Sequence, residues 1–206
     1  MIKAQYVPSV IEKTANGERA YDIFSRLVED RIIYLWTQVT DMSSNLIIAQ
    51  LLYLNKRDPK KDIVMYINTP GWDVFSWLAI YDTMQMISND IVTICVGMAA
   101  SMGSVILCGG TKGKRFILPH SEVMIHQPLS GVEWQASDII IRADHINKTR
   151  KRLNKLIAYH SGKSLKQVEK DTDRDYWMDS EEAVKYGMVD KVIWDLSTWE
   201  KIQKIK

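Results

Sequence analysis

Short apolar runs alternate with stretches of helical periodicity through the first two thirds of the chain. Residues 32–35 form a run of strand length, 44–55 carry amphipathic helical spacing, and Ile63-Val64-Met65-Tyr66-Ile67 is an uninterrupted apolar run that predicts a strand buried on both faces. Further on, 73–87 reads as a helix and 91–96 as a strand. A helix opens at about Ser101, and short strands are expected at 116–118 and 123–125. This strand-then-helix alternation predicts an α/β fold with a largely parallel sheet covered by helices.

Beyond Trp134 the pattern changes. Residues 135–160 keep helical periodicity for roughly 25 residues, about 38 Å of helix, which is longer than a compact domain of this size requires. The helix is expected to project. Its apolar stripe, Ile139, Ile140, Ala143, Ile146, Leu153, Leu156 and Ile157, then either finds a partner surface through self-association or packs on the chain's own core. Ser161-Gly162 ends it, Ser164-x-x-Gln167 reads as a capping box for the next helix, and Asp179-x-x-Glu182 opens another that stops at Gly187.

With no repeat, linker or low-complexity tract, residues 1–206 read as a single domain, long enough to bury a core without disulfides or metals. A hydrophobic fraction of 46% beside 25% charge excludes disordered and fibrous classes. A net charge of +2 and a basic stretch at 148–155 broken by Leu153 and Asn154 argue against a nucleic-acid partner. Cys95 and Cys108 lie in apolar runs without metal-ligand spacing, so buried free thiols in a reducing, cytoplasmic setting are expected, with no metal and no cofactor. The opening residues lack the apolar core of a secretory signal. Residues 91–110 carry no charge and have the length of a membrane span, but four glycines, Thr93, Ser101 and Ser104 split them into a strand and a buried helix, so no membrane partner is expected.

Chemistry concentrates at a few positions. Gly97-Met98-Ala99-Ala100-Ser101-Met102-Gly103 puts a serine among mostly small residues where a strand meets a helix N-terminus, whose free N–H groups and dipole stabilise developing negative charge. The same serine suits a simple N-cap. His126 follows an apolar strand and precedes Gln127-Pro128, a place for a general base or for a structural histidine. Asp171, Asp173, Asp175 and Asp179 crowd one polar stretch, and local pattern does not choose among them.

Ordered blocks along the chain resemble the proteolytic subunit of the Clp protease family. They are Val7-Pro8-Ser9-Val10-Ile11-Glu12, Gly17-Glu18-Arg19-Ala20-Tyr21-Asp22, Leu78-Ala79-Ile80-Tyr81-Asp82-Thr83-Met84, the Gly97 to Gly103 segment, Lys112-Gly113-Lys114-Arg115, Met124-Ile125-His126-Gln127-Pro128 and Glu169-Lys170-Asp171-Thr172-Asp173-Arg174-Asp175. The resemblance implies a crotonase-like spiral of ββα units with residues 135–160 as a projecting handle helix and residues 1–20 as an axial N-terminal segment. It implies a serine endopeptidase with Ser101 as nucleophile, His126 as general base and Asp175 as the residue that orients it. Backbone N–H groups of Met102 and of residue 72 would form the oxyanion hole. Two stacked heptameric rings are implied, fed with unfolded proteins by a separate hexameric AAA+ ATPase, since this chain has no phosphate-binding P-loop of its own. Tyr66, Phe116, Leu118 and Ile193 match the family's docking pocket for that ATPase.

The chain departs from the family pattern at Trp36, Trp72, Trp77 and Trp134, where glycine is common. Trp72 replaces the second glycine of the Pro-Gly-Gly loop, and glycine is used where φ is positive or backbones approach closely. Four such changes in one chain point to one cause, a UGA codon that means glycine in the source but is translated as tryptophan. Two other readings compete. One is a catalytically silent ring subunit, favoured by Trp72. The other is a crotonase-type acyl-CoA enzyme, which leaves Ser101, His126 and Asp175 unexplained.

Overall fold

The computed structural model describes residues 7–14, 17–129, 135–195 and 197. In chain order the elements are β1 (Ser9–Thr14), β2 (Gly17–Asp22), α1 (Ile23–Glu29), β3 (Ile32–Trp36), α2 (Asp41–Arg57), β4 (Ile63–Thr69), α3 (Val74–Met86) and β5 (Ile91–Ala100). They continue with α4 (Met102–Cys108), β6 (Arg115–Ile117), β7 (Glu122–Ile125), α5 (Ala136–Ser161), α6 (Leu165–Asp171), β8 (Tyr176–Met178), α7 (Ser180–Tyr186) and β9 (Lys191–Val192). Strands β3, β4, β5, β6 and β9 lie side by side and parallel, as the alternation of runs and helices predicts.

The fifth strand is longer than the apolar run 91–96 indicates, and the extra length builds the site. Its first part pairs with β6 through Thr93, Ile94 and Cys95, and its second part pairs with β7 through Met98, Ala99 and Ala100. Gly97, at φ +86°, separates the two halves, a backbone conformation that a side chain resists. Two short strands thus share one edge of β5, and β8 adds to the outer side of β7, antiparallel to it.

Period-two alternation divides the sheet into two faces. Ile63, Met65 and Ile67 of β4 and Ile91 and Cys95 of β5 enter the main core with α2, α3 and α4. The other face carries Val92, Ile94, Phe116 and Ile193, with Val64, Tyr66, Val96 and Leu118 half-buried against them. The expectation that 63–67 is buried on both faces therefore needs correction: Val64 and Tyr66 are only partly covered.

The long helix is 26 residues, close to its expected length. Its stripe divides along the axis. Leu153 and Ile157 join the main core, while Ile139 and Ile140 are exposed, as is Ile141 beside the stripe. Gly162 closes it in the left-handed conformation, and Gly187 does the same for α7. The Asp179 and Glu182 capping box forms. At Ser164 only half of the expected box appears: the hydroxyl accepts from the Gln167 N–H, but the Gln167 amide donates to Asp171 instead. The β1–β2 hairpin, exposed along most of β2, has no apolar alternation to announce it. Residues 91–110 form β5 and α4, and no helix among the described residues is long and apolar enough to cross a membrane.

Candidate active site

Three adjacent strands deliver the three polar residues. Ser101 is the residue between β5 and α4, His126 follows β7, and Asp175 precedes β8. Ala100 stands opposite Met124, the Ser101 N–H donates to the Met124 carbonyl at 2.9 Å, and Ile125 stands opposite Tyr176. Register alone thus brings the strand ends together. His126 Nε2 lies 2.8 Å from Ser101 Oγ, and His126 Nδ1 lies 3.0 Å from Asp175 Oδ1.

Ser101 occupies the N-cap position of α4, yet its side chain makes no capping bond. Its backbone is at φ 54° and ψ −123°, a sparsely populated conformation for a non-glycine residue. Behind it, α4 is buried throughout, and the Ser104 hydroxyl is held by the Ser101 carbonyl. The hydroxyl of Ser101 therefore has its neighbour in the imidazole and not in its own helix.

The other acidic residues of the crowded stretch are engaged elsewhere. Asp171 accepts from Tyr186 and Gln167, Asp173 faces Arg150 at 3.5 Å, and Asp179 caps α7. Of the four, Asp175 meets the histidine. Its side chain is 61% exposed, whereas that of His126 is 13% exposed.

The Pro70-Gly71-Trp72 segment crosses the N-terminus of α4 at close range. A Cβ at Gly71 would lie 2.8 Å from Ser101 Cβ and from the Ala100 carbonyl oxygen, and 3.0 Å from Met102 N, so only glycine fits there. The Thr69 hydroxyl accepts from the Gly71 N–H at 3.1 Å and holds the turn. Trp72 sits at φ +143°, in the range that favours glycine, with its side chain 66% exposed, and a single bridge pairs it with Val39.

Beside the hydroxyl is a small cavity of about 20 Å³, lined by Val74, Met102, Val105, Pro128, Leu153 and Ile157 together with Ser101, Ser104 and His126. Trp72 is not part of its lining. Leu153 and Ile157 were legible in the sequence only as members of the long helix's stripe. No local pattern places a residue of α5 beside Ser101.

The remaining anomalous tryptophans differ in setting. Trp36 stacks on Phe24 with ring centroids 4.0 Å apart. Trp77 is fully buried in α3 and its indole N–H has no acceptor among the described residues. Trp134 lies outside the described residues. Cys95 and Cys108 are buried free thiols, both pushed up to about 12 by burial, so neither is a nucleophile. The four residues matched to a docking pocket, Tyr66, Phe116, Leu118 and Ile193, fall together in the apolar cluster on the second sheet face, far in register from the strand ends that carry Ser101 and His126. Burial there pushes the Tyr66 phenol up to about 12.

A family model described as Clp protease matches residues 15–195. That span takes in the sheet, the strand ends that bear Ser101, His126 and Asp175, and the whole of α5. The chain belongs to the Clp protease family of peptidases.

Proposed function

We propose that this chain is the proteolytic subunit of an ATP-dependent protease, a serine endopeptidase in which Ser101, His126 and Asp175 act as a triad. One observation carries the reading: a single imidazole bridges the Ser101 hydroxyl at 2.8 Å and the Asp175 carboxylate at 3.0 Å. His126 takes the Ser101 proton as Oγ attacks the peptide carbonyl, then returns it to the leaving amine. Asp175 holds the Nδ1–H tautomer and stabilises the imidazolium. Water, deprotonated by the same imidazole, hydrolyses the acyl-enzyme.

Backbone N–H groups at Met102 and residue 72 receive the oxyanion, and each donor of this kind is worth about 10²–10³ in turnover. The close approach of Gly71 to Met102 N supports a hole formed between loop and helix.

The wider assembly is proposed on the same footing. Exposed Ile139, Ile140 and Ile141 on α5 are the contact through which two heptameric rings interlock. The cluster of Tyr66, Phe116, Leu118 and Ile193 is the docking face for a hexameric AAA+ unfoldase that delivers unfolded proteins, in the cytoplasm. A second reading, a silent ring subunit, is favoured by Trp72 in a glycine conformation at the oxyanion loop.

Labelling with a fluorophosphonate separates the two. Modification at Ser101 that is lost in Ser101→Ala is the result expected of the active peptidase. An intact protein that fails to react is the silent subunit.

A further inference from the structure

Phe75 is a large apolar side chain held in the open. It is the second residue of α3 and is 55% exposed, although both of its neighbours are fixed. Val74 packs against the main core, and Ser76 is buried, its N–H donating to Asp73 at 2.7 Å and its hydroxyl to Asp41 at 2.8 Å. An exposed phenyl group on a fixed backbone adds nothing to the core and marks a surface where another apolar group can be buried. The group it meets is His145 of α5, likewise exposed, with ring centroids 5.7 Å apart and planes 26° from parallel.

The pair lies on the seam that leads to Ser101. On α5, His145, Thr149, Leu153 and Ile157 are spaced one turn apart and share a face. Thr149 and Leu153 are buried, and Leu153 and Ile157 line the cavity beside the Ser101 hydroxyl. On α3, Val74 lines the same cavity and immediately precedes Phe75. Along α5 the level of His145 is about 12 Å from that of Leu153, at about 1.5 Å per residue. An extended peptide covers this distance in about four residues, and alternate residues of it face the same way. The two rings thus form an aromatic wall within reach of a chain whose peptide bond is at Ser101.

We infer that Phe75 and His145 form an aromatic subsite that selects polypeptide segments carrying an aromatic side chain about two to four residues from the bond cleaved. The inference rests on the triad reading above and gives it a substrate preference. A substrate ring packs offset or edge-on against Phe75 and His145, with centroids about 4.5–7 Å apart, as aromatic pairs in proteins do. Unfolded chains are the substrates that present such rings, since folded proteins keep most of them inside. Both residues act on binding, and neither takes part in bond cleavage.

The test uses the whole protein and internally quenched peptides that differ at one position, phenylalanine or alanine. That position is moved outward from the cleaved bond on each side, and mass spectrometry identifies the bond. The readout is the ratio of kcat/KM between the phenylalanine and alanine peptides, which a general loss of activity or stability leaves unchanged. Wild type should prefer phenylalanine at a place about two to four residues from the bond. Phe75→Ala should lower that preference about 2- to 10-fold, mainly through KM, and Phe75→Tyr should keep it. His145→Ala, on an exposed residue of a different helix, should give the same loss and keeps the inference testable if Phe75→Ala folds poorly.

Equal ratios in wild type, Phe75→Ala and His145→Ala at every place would overturn the inference, while cleavage of the peptides leaves the triad reading standing. An unchanged ratio together with half-size Phe75→Ala particles in sedimentation overturns it as well, and assigns the ring pair to contact between copies. A wild-type protein that neither cleaves peptide nor labels with fluorophosphonate at Ser101 overturns the triad reading itself, and this inference with it.

Discussion

His126 Nε2 stands 2.8 Å from Ser101 Oγ across 25 residues of sequence because Ala100 of β5 and Met124 of β7 are direct partners in a parallel pair. The contact is made by backbone register, so the side chains need only extend from two strand ends that already lie side by side. Asp175 joins by the same device on the opposite edge of β7.

Asp175→Asn is expected to leave the fold intact and lower kcat about 10⁴-fold, since an amide holds the wrong imidazole tautomer. Asp171→Asn, four residues away and bonded to Tyr186 and Gln167, should stay within a few-fold of wild type. Steady-state peptide hydrolysis checks both. Comparable losses in the two variants would contradict the choice of Asp175.

Trp72→Gly should raise both turnover and thermal stability. A non-glycine residue held at positive φ costs of order 1–3 kcal/mol, and Trp72 is held at +143°. Trp77 adds a second strain on the tryptophan form, because a buried donor left without an acceptor costs about 1–3 kcal/mol. The coding DNA is the direct measurement: UGA at positions 36, 72, 77 and 134 supports recoded glycine, and UGG at these positions sinks it.

Tyr66→Ala should separate two activities. Degradation of a folded protein by the assembled ATPase complex is expected to fall roughly 10-fold or more through loss of an aromatic anchor. Cleavage of a short peptide, which needs no partner, should persist, because Tyr66 lies in the second-face cluster and not beside Ser101. Parallel loss of peptide cleavage would argue for a packing role.

Ile140→Asp tests the handle. Ile140 is 66% exposed, and a carboxylate there would have to be desolvated at any interface between rings. Half-size particles in sedimentation are the expected outcome. Full-size particles would place the ring contact elsewhere.

His160 links stability to pH. Burial, with a smaller contribution from Arg115, lowers this histidine from 6.5 to about 4, and its ring lies 2.7 Å from the Tyr81 hydroxyl. The unfolded chain therefore binds the proton more tightly, and stability present above about pH 6.5 is lost as the pH falls towards about 4. Thermal midpoints across this window should decline in the wild type and flatten in His160→Gln. An unchanged slope in the variant would assign the decline to other groups.

Local periodicity was enough for the parallel α/β order, the length of α5, the glycine ends of α5 and α7 and the position of Ser101 between strand and helix. Each follows from neighbours within a turn or a strand, where side-chain spacing acts directly on the backbone. The β1–β2 hairpin escaped because nearly all of β2 faces outward and no alternation marks it. The division of the α5 stripe into a packed half and a bare half escaped for a related reason: spacing along a helix is the same wherever the core ends.

Asp171, Asp173, Asp175 and Asp179 are equivalent by composition and by neighbourhood, and family resemblance alone favoured Asp175. In the tertiary structure they differ completely, because β8 pairs with β7 only from Tyr176 onward and leaves Asp175 at the strand end that faces His126. The approach of Gly71 to Met102 N, and the reach of Asn154 from α5 to Thr172, are likewise distances between segments far apart in the chain. Sequence determines which groups are present and what each can do chemically. Which of them meet is decided by strand register and helix packing, since those long-range contacts minimise the free energy of the whole core and leave no local mark.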